Sequence, residues 1–253
     1  MHLLGAHTTT KVFAAPRVTN EDCYAPHVKK EVDIARFVMC DGATTGFAGG
    51  AWAQAIAAAI SAPDGKIVWH DAVLAARSMY NARFNPEQMN VFKQQNFRRG
   101  SSSTVMLVEQ DASHAQLVHL TAIGDTCCFA VRSDGVILKA FPISEPADFD
   151  KDPYLVTCTD EGIRFLFEEQ YKGLFWKRDT WDLSELAGCR LLCATDAVSR
   201  WIEQNMSNPE KIAGLVDLAV RKKRKREYAK RIQWLREHDG MVTDDSTIAV
   251  LSI

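Results

Sequence analysis

The spacing of apolar residues along the chain predicts a mixture of strands and amphipathic helices. Short runs rich in β-branched and aromatic residues predict strands, and apolar residues three or four positions apart predict helices. The predicted strands are 2–9, 34–40, 104–108, 115–123, 128–132, 136–141, 189–195 and 241–253. The predicted helices are 49–61, 71–83, 86–97, 198–206 and one long helix from 209 to about 238. This order of strands, helices and strands again is compatible with an α+β fold.

Residues 142–188 follow neither spacing. They contain Pro142, Pro146 and Pro153, an acidic stretch and the segment GLFWKRDTWDL. Long connections of this kind are commonly functional loops. We therefore expect a single domain over residues 1–253 that carries an irregular, flap-like insertion at about 142–188.

Composition indicates an ordinary globular protein. The 253 residues are 47% hydrophobic and 25% charged, and a formal net charge of -2 does not indicate any class of binding partner. No apolar run approaches the roughly 20 residues that cross a bilayer, and the N-terminus lacks a basic segment followed by an apolar one. We expect a cytoplasmic protein without a membrane partner, whose seven cysteines are buried reduced thiols.

A basic run lies within the predicted long helix. Residues 221–226 are all lysine or arginine, and Lys230 and Arg231 follow. Such a run could bind nucleic acid through phosphate contacts. Apolar residues at helical spacing flank it on both sides, which favours the solvated face of a packed helix. A nucleic-acid partner is therefore not expected.

Aspartates stand at the ends of several predicted strands. The set comprises Asp22, Asp41, Asp125, Asp196 and Asp244. Aspartate often opens turns, which explains any one of these positions but explains the set poorly. Carboxylates so distant in sequence converge only if their strands lie side by side, and their mutual repulsion then requires divalent cations. Oxygen ligands of this kind suit Mg²⁺ or Mn²⁺.

The sequences of these segments, and their order along the chain, resemble those of the metal-dependent Ser/Thr protein phosphatases of the 2C type. Six segments carry the resemblance: RVTNED at 17–22, FVMCDG at 37–42, GSSST at 100–104, GDT at 124–126, LLCATD at 191–196 and DDSTI at 244–248. Each segment alone is a weak signal. Together they follow the family's order over nearly the whole chain. The resemblance implies a four-layer α-β-β-α sandwich with two mainly antiparallel sheets.

The resemblance also implies roles for individual residues. Arg17 is expected to hold the substrate phosphate, and Asp41 to bridge two metal ions with the carbonyl of Gly42 on one of them. Asp22, Asp196 and Asp244 are expected to complete the two coordination spheres. A side chain at position 42 is expected to crowd the metal.

Two further acidic residues lie outside this set of metal ligands. Glu21 is expected to accept a hydrogen bond from metal-bound water rather than to bind metal directly. Asp125 has two alternatives that are about equally supported: a third metal position, or hydrogen bonds that hold the turn at Gly124.

The chain departs from the family pattern at two positions. Ala43 stands where some members have a histidine that acts as general acid, and alanine cannot donate a proton. Arg200 stands where many members have an aspartate for a third metal. A cation there is expected to oppose metal binding at Asp125, leaving two tightly held ions and a doubtful third.

The leading hypothesis is Mg²⁺- or Mn²⁺-dependent hydrolysis of phosphoserine and phosphothreonine in proteins by a water that bridges two metals. The expected partners are a phosphorylated protein substrate and a cognate Ser/Thr kinase. The alternative is a catalytically weak pseudophosphatase that binds phosphoproteins as a regulatory module. Retention of Arg17 together with the four metal-site aspartates favours the enzyme, since a binding module has no chemical need for all five.

Overall fold

The computed structural model describes residues 1–11, 20–27, 33–62, 65–221 and 225–253. The strands are β1 (His2–Thr9), β2 (Asp22–Ala25), β3 (Arg36–Asp41), β4 (Ser102–Ser103), β5 (Val105–Gln110), β6 (Leu117–Ile123), β7 (Cys127–Arg132), β8 (Ile137–Phe141), β9 (Val156–Thr157), β10 (Lys177–Asp182), β11 (Cys189–Ala194) and β12 (Ser246–Ser252). The α-helices are α1 (Gly49–Ile60), α2 (Trp69–Asn81), α3 (Val91–Arg99), α4 (Asp160–Phe167), α5 (Lys172–Phe175), α6 (Asp196–Gln204), α7 (Pro209–Val220) and α8 (Lys225–His238).

Two antiparallel sheets of five strands form the centre of the molecule. One has the order β1-β12-β11-β7-β8 and the other β10-β6-β5-β3-β2. The central strands β3 and β12 are covered on both faces, so their sequences FVMC and STIAVL are buried almost without interruption. This burial fixes the depth at which each strand ends, and therefore where the polar residue beyond it lies.

Three apolar layers hold the four structural layers together. Side chains such as Phe37, Met106 and Leu191 fill the space between the two sheets. Trp52 and its neighbours from α1 and α2 cover the outer face of the β3-containing sheet. Residues of α6, α7 and α8 cover the outer face of the β12-containing sheet. The predicted α+β class and the four-layer sandwich with two antiparallel sheets are confirmed.

The predicted long helix over 209–238 is wrong, because α7 ends at Val220 and α8 begins at Lys225. Arg221 has ψ 86°, which is outside the helical range. Apolar residues of both helices pack in the same layer, so the helical spacing continues across the break. Lys222, Lys223 and Arg224 of the basic run lie outside the described residues.

The segment 86–97 is also divided. A 3₁₀ turn at Pro86–Gln88 precedes α3, and the Asn90 side chain accepts a hydrogen bond from the N–H of Lys93, which makes Asn90 the N-cap. Asparagine at the position directly before the first helical residue is a recognised start signal. The helix therefore starts later than its apolar spacing suggests.

The predicted flap-like insertion at 142–188 is more regular than its sequence indicates. It contains α4 and α5, and β10 pairs with β6 to form the edge of a main sheet. Residues 149–153 and Leu155 instead line a cavity that is described below. The insertion thus contributes both to the framework and to the wall of that cavity.

All seven cysteines are free and buried, as predicted. Within the described ranges, no helix combines the length and apolar character that a membrane span requires.

Candidate metal and phosphate site

Asp22 and Asp41 lie opposite each other on β2 and β3. Asp22 is buried, and its Oδ2 accepts a hydrogen bond from Thr195 Oγ1 at 3.0 Å. Its Oδ1 is buried and has no hydrogen-bond partner within the described residues. A buried carboxylate oxygen without a donor is costly unless a proton or a cation meets it.

Four strand or helix ends bring carboxylates to one cavity of about 300 Å³. Its lining includes Asp41, Asp125, Asp196 and Asp244, together with Gly42. Asp41 ends β3, Asp125 lies in the turn between β6 and β7, Asp196 begins α6 directly after β11, and Asp244 precedes β12. The structure therefore gathers at one place the aspartates that the sequence separates by as many as two hundred positions.

We call this cavity the carboxylate cavity, and burial raises the pKa of three carboxyl groups in its lining and of the neighbouring Asp22. Burial raises the pKa of Asp41 well above its ordinary value, and Asp22 and Asp196 raise it further. Burial likewise raises the pKa of Asp22 to about 8 and that of Asp196 to about 6. The pKa of Asp125 is also raised by burial. Negative charge in this cavity thus lacks sufficient compensation from the described residues.

The donor set fits a hard divalent cation. The described lining of the cavity offers carboxylate, hydroxyl and carbonyl oxygens and neither a histidine nor a cysteine, which is the ligand chemistry of Mg²⁺ and Mn²⁺. The orphaned Asp22 Oδ1 adds a further buried acceptor. In the described part of the chain, no three His, Cys, Asp or Glu side chains yet surround one point closely enough to hold an ion.

Hydroxyl groups of the 100–104 segment fix the backbone of Asp41. Thr104 Oγ1 accepts a hydrogen bond from the N–H of Asp41 at 3.0 Å, and Ser103 Oγ donates to its carbonyl at 2.8 Å. Thr104 Oγ1 also lies 2.6 Å from Thr126 Oγ1 in the turn that carries Asp125. These contacts explain why the GSSST segment accompanies the aspartates.

Comparison of the whole structure with solved structures decides the fold. Neither a family model nor a curated protein sequence matches the chain. The catalytic domain of the Ser/Thr protein phosphatase PstP, solved in complex with two manganese ions, matches with a TM-score of 0.56 at 18% identity over 99% of this chain and 98% of that one. The chain has the fold of the 2C-type protein phosphatases.

Two further phosphatases share this 2C-type fold. The photosystem II phosphatase PBCP matches with a TM-score of 0.55 at 15% identity, over 98% of this chain and 97% of that one. PppA, a regulatory component of the type VI secretion system in Pseudomonas aeruginosa, matches with a TM-score of 0.52 at 16% identity, over 97% and 95%. In both comparisons nearly the whole of each chain is covered, so the similarity extends over the whole sandwich.

Asp245 and Arg236 are structural residues of the site that sequence reasoning missed. Asp245 accepts hydrogen bonds from the backbone N–H groups of Lys11 and Glu21, at 2.7 and 2.6 Å. Arg236 of α8 donates to the carbonyl of Asp244 and to the carbonyl of Thr10. Asp245 thus ties together residues on both sides of segment 12–19, and Arg236 orients the turn that carries Asp244. The adjacent acids in TDDST are the only local signal for Asp245.

Lys11 places a positive charge beside the carboxylate cavity. Its Nζ lies 3.0 Å from Glu21 Oε2, 2.9 Å from Thr44 Oγ1 and 3.9 Å from Asp244 Oδ1. Burial alone would lower the pKa of Lys11, but Glu21 and the aspartates outweigh that effect and raise it. Glu21, expected to face metal-bound water, is engaged here by Lys11 and by the hydroxyl of Thr44.

Arg200 is paired rather than isolated. Its Nη2 donates a hydrogen bond of 2.6 Å to Asp150 Oδ1, and Asp150 lines the carboxylate cavity. From the sequence we expect a cation at position 200 that opposes metal binding at Asp125. The structure instead supplies a carboxylate from the insertion, which offsets the charge of Arg200.

Gly42 is required by packing. A Cβ at this position would lie 2.4 Å from the carbonyl carbon of Gly49 at the start of α1. Backbone cannot move aside cheaply, so the neighbouring helix excludes a side chain at position 42. The expected reason, crowding of a metal, is therefore not the one that the described contacts show.

Three other residues singled out in the sequence complete the description of the site. Ala43 lines the cavity and offers no acidic group. Arg17 lies outside the described residues, so its expected contact with phosphate remains a prediction. Asp125 lines the cavity, and a hydrogen bond from its own backbone partly offsets the rise in pKa that burial causes.

Proposed function

We propose that the protein is a divalent-metal-dependent phosphatase that hydrolyses phosphoserine and phosphothreonine in other proteins. The observation that carries the proposal is the carboxylate cavity, in which four aspartates from distant parts of the chain meet beside the buried Asp22. The fold supports it, because PstP, which shares that fold, is a Ser/Thr protein phosphatase solved with two manganese ions.

The residues that would hold two ions are Asp22, Asp41, Asp196, Asp244 and the carbonyl of Gly42. Asp125 is the candidate for a weaker third position. When bound, Mn²⁺ or Mg²⁺ supplies a water activated near neutral pH and offsets the negative charge of the phosphoryl group.

The remaining residues orient the aspartates or supply positive charge for the phosphate. Thr195 holds Asp22 by a hydrogen bond, and Thr104 and Ser103 hold the backbone of Asp41. Arg17 would clamp two phosphate oxygens through its planar guanidinium, and Lys11 would add positive charge at the rim. Ala43 donates no proton, so the departing alkoxide would depend on solvent. Aryl phosphates, whose leaving group needs no proton, should therefore be relatively good substrates.

The proposed partners follow from this activity. The substrate is a phosphorylated protein, and a cognate Ser/Thr kinase supplies the phosphoryl group. Catalysis in the cytoplasm belongs to the same proposal.

The experiment measures release of inorganic phosphate from a phosphothreonine peptide in Mn²⁺, in Mg²⁺ and in EDTA. The proposal expects turnover with either metal and none in EDTA. Asp41→Asn should reduce turnover by orders of magnitude, whereas Asp217→Asn on the exposed face of α7 should not change it. Turnover in EDTA equal to that in Mn²⁺ would contradict the proposal.

The pseudophosphatase alternative has one observation in its favour, the absence of a proton donor at Ala43. It expects a phosphopeptide to bind with Mn²⁺ present while no phosphate is released. Calorimetric binding measured beside the hydrolysis assay separates the two: binding without release supports the alternative, and release supports the enzyme.

A further inference from the structure

A second cavity of about 450 Å³ shares no lining residue with the carboxylate cavity. Its walls come from the start of α2, the end of α4, α5 and the start of β10. The lining residues are Trp69, His70, Phe167, Lys172, Gly173, Trp176 and Arg178. None of these residues has a part in the proposed hydrolysis, so this aromatic cavity requires a separate explanation.

Aromatic rings pack edge to face around the aromatic cavity. Trp69 and Trp176 have ring centroids 4.7 Å apart at 74°, and His70 and Phe167 have centroids 5.1 Å apart at 76°. Trp176 is fixed further, because its indole N–H donates to the carbonyl of Leu166 at 3.0 Å. Rigid, partly exposed tryptophans offer large contact area at little entropic cost, and such residues dominate binding energy at interfaces.

The cavity wall carries one cation that no carboxylate neutralises. Lys172 pairs with Glu169, and His70 lies 3.6 Å from Asp71. Arg178 is exposed and makes no ion pair within the described residues; its guanidinium lies 5.5 Å from the centre of the Trp176 ring. A guanidinium on an aromatic face retains its full capacity to bind a carboxylate.

The strand that carries Arg178 has a free edge. β10 lies at the end of its sheet and pairs only with β6 among the described strands. Residues 177–180 of β10 are exposed. An unpaired strand edge beside a pocket is the geometry by which proteins bind extended peptides, since the edge supplies backbone hydrogen bonds and the pocket takes a side chain.

We propose that this surface docks an acidic, extended peptide segment of a partner protein. The segment pairs with the free edge of β10, places one aromatic or large apolar side chain in the aromatic cavity against Trp69 and Trp176, and places a carboxylate on Arg178. This docking is a binding event that does not depend on the phosphatase activity proposed above, so either can fail alone.

The test uses a synthetic peptide with one phenylalanine flanked by glutamate and threonine residues, and a matched peptide with lysine in place of glutamate. Binding is followed by fluorescence anisotropy of the labelled peptide and by the emission of the protein's tryptophans. The glutamate peptide should bind and the lysine peptide should not. Arg178→Glu should weaken binding by at least about tenfold.

The control is Lys177→Glu, which makes the same change in charge at the neighbouring residue of β10. Lys177 does not line the aromatic cavity, so its substitution should weaken binding by less than about threefold. Circular dichroism establishes that both variants fold. Absence of binding by the glutamate peptide, equal binding of the two peptides, or equal effects of the two substitutions would overturn the proposal. A dimer of the protein that Arg178→Glu dissociates would assign the surface to a second copy and would also overturn it.

Discussion

Asp22 and Asp41 occupy directly opposed positions on β2 and β3, and burial raises the pKa of both carboxyl groups. Two buried acids at such a pair destabilise the fold unless protons or cations compensate them. In the proposed function, a cation bound at this pair would offset that cost.

The first prediction concerns this exchange. Mn²⁺ at about one hundred times its dissociation constant should raise the free energy of unfolding by about 2.7 kcal/mol. Asp41→Asn should raise the melting temperature in EDTA, because asparagine has no charged form that burial disfavours, and should abolish most of the Mn²⁺ effect. Thermal unfolding in EDTA and in Mn²⁺ measures both. An unchanged Mn²⁺ shift in Asp41→Asn, with Asp217→Asn as the control, would show that Asp41 does not bind the ion.

The second prediction concerns Asp245, which accepts the backbone N–H groups of Lys11 and Glu21. Asp245→Ala leaves both donors without their acceptor and should lower the free energy of unfolding by about 1–3 kcal/mol. It should also raise KM for a phosphopeptide, because residues 11 and 21 flank the segment that contains Arg17. Asp245→Asn, which keeps one acceptor oxygen, should lose less in both measurements. Equal stability and KM in Asp245→Ala and the wild type would refute this role.

The third prediction concerns the pairing of Arg200 with Asp150. Asp150→Ala leaves the charge of Arg200 uncompensated beside the carboxylate cavity, so the Mn²⁺ concentration for half-maximal activity should rise severalfold. The double variant Asp150→Ala/Arg200→Ala should recover most of the loss, since it removes both charges.

The control for that cycle is Asp160→Ala, which breaks an ion pair with Arg77 away from the carboxylate cavity and leaves Arg200 paired. It should have little effect on the Mn²⁺ requirement. If the double variant is no better than Asp150→Ala, the charge of Arg200 is not what limits metal binding.

The fourth prediction concerns Glu203 on α6, which is 4% exposed and has no hydrogen-bond partner for either carboxyl oxygen among the described residues. Burial, with a smaller effect of Glu145, raises the pKa of Glu203 from 4.5 to about 7. Between these values the folded state holds a proton that the unfolded state has released. The free energy of unfolding should therefore fall as pH rises through this window, by up to about 3 kcal/mol from this group.

Glu203→Gln removes the ionisation and should remove that component. Denaturant unfolding at pH 5 and pH 8 should show the variant close to the wild type at the lower pH and more stable at the higher pH. A wild type and variant with parallel pH profiles would mean that Glu203 does not titrate in this window.

Much of the framework was predictable because burial leaves a local imprint. The strand His2–Thr9 has its predicted bounds, and FVMC before Asp41 identifies a strand covered on both faces. The division of residues 209–238 into two helices was not predictable, since both helices pack in one apolar layer and the spacing of their apolar residues does not register the break.

The aspartates of the site were predictable as a set because each follows or precedes a recognisable buried strand. Their supports were not. Asp245 acts on residues more than two hundred positions away, and Asp150 lies in a proline-rich segment without periodicity. Contacts of this kind are created by the tertiary fold and leave no pattern in the neighbouring sequence.

The central claim is that the carboxylate cavity binds divalent metal and hydrolyses phosphoserine and phosphothreonine. Phosphate release from a phosphothreonine peptide, measured as a function of Mn²⁺ concentration for the wild type and Asp41→Asn, tests it most directly. We predict saturable, EDTA-sensitive release by the wild type and a loss of orders of magnitude in Asp41→Asn. Release that is independent of Mn²⁺, or equal in the two proteins, would contradict the account.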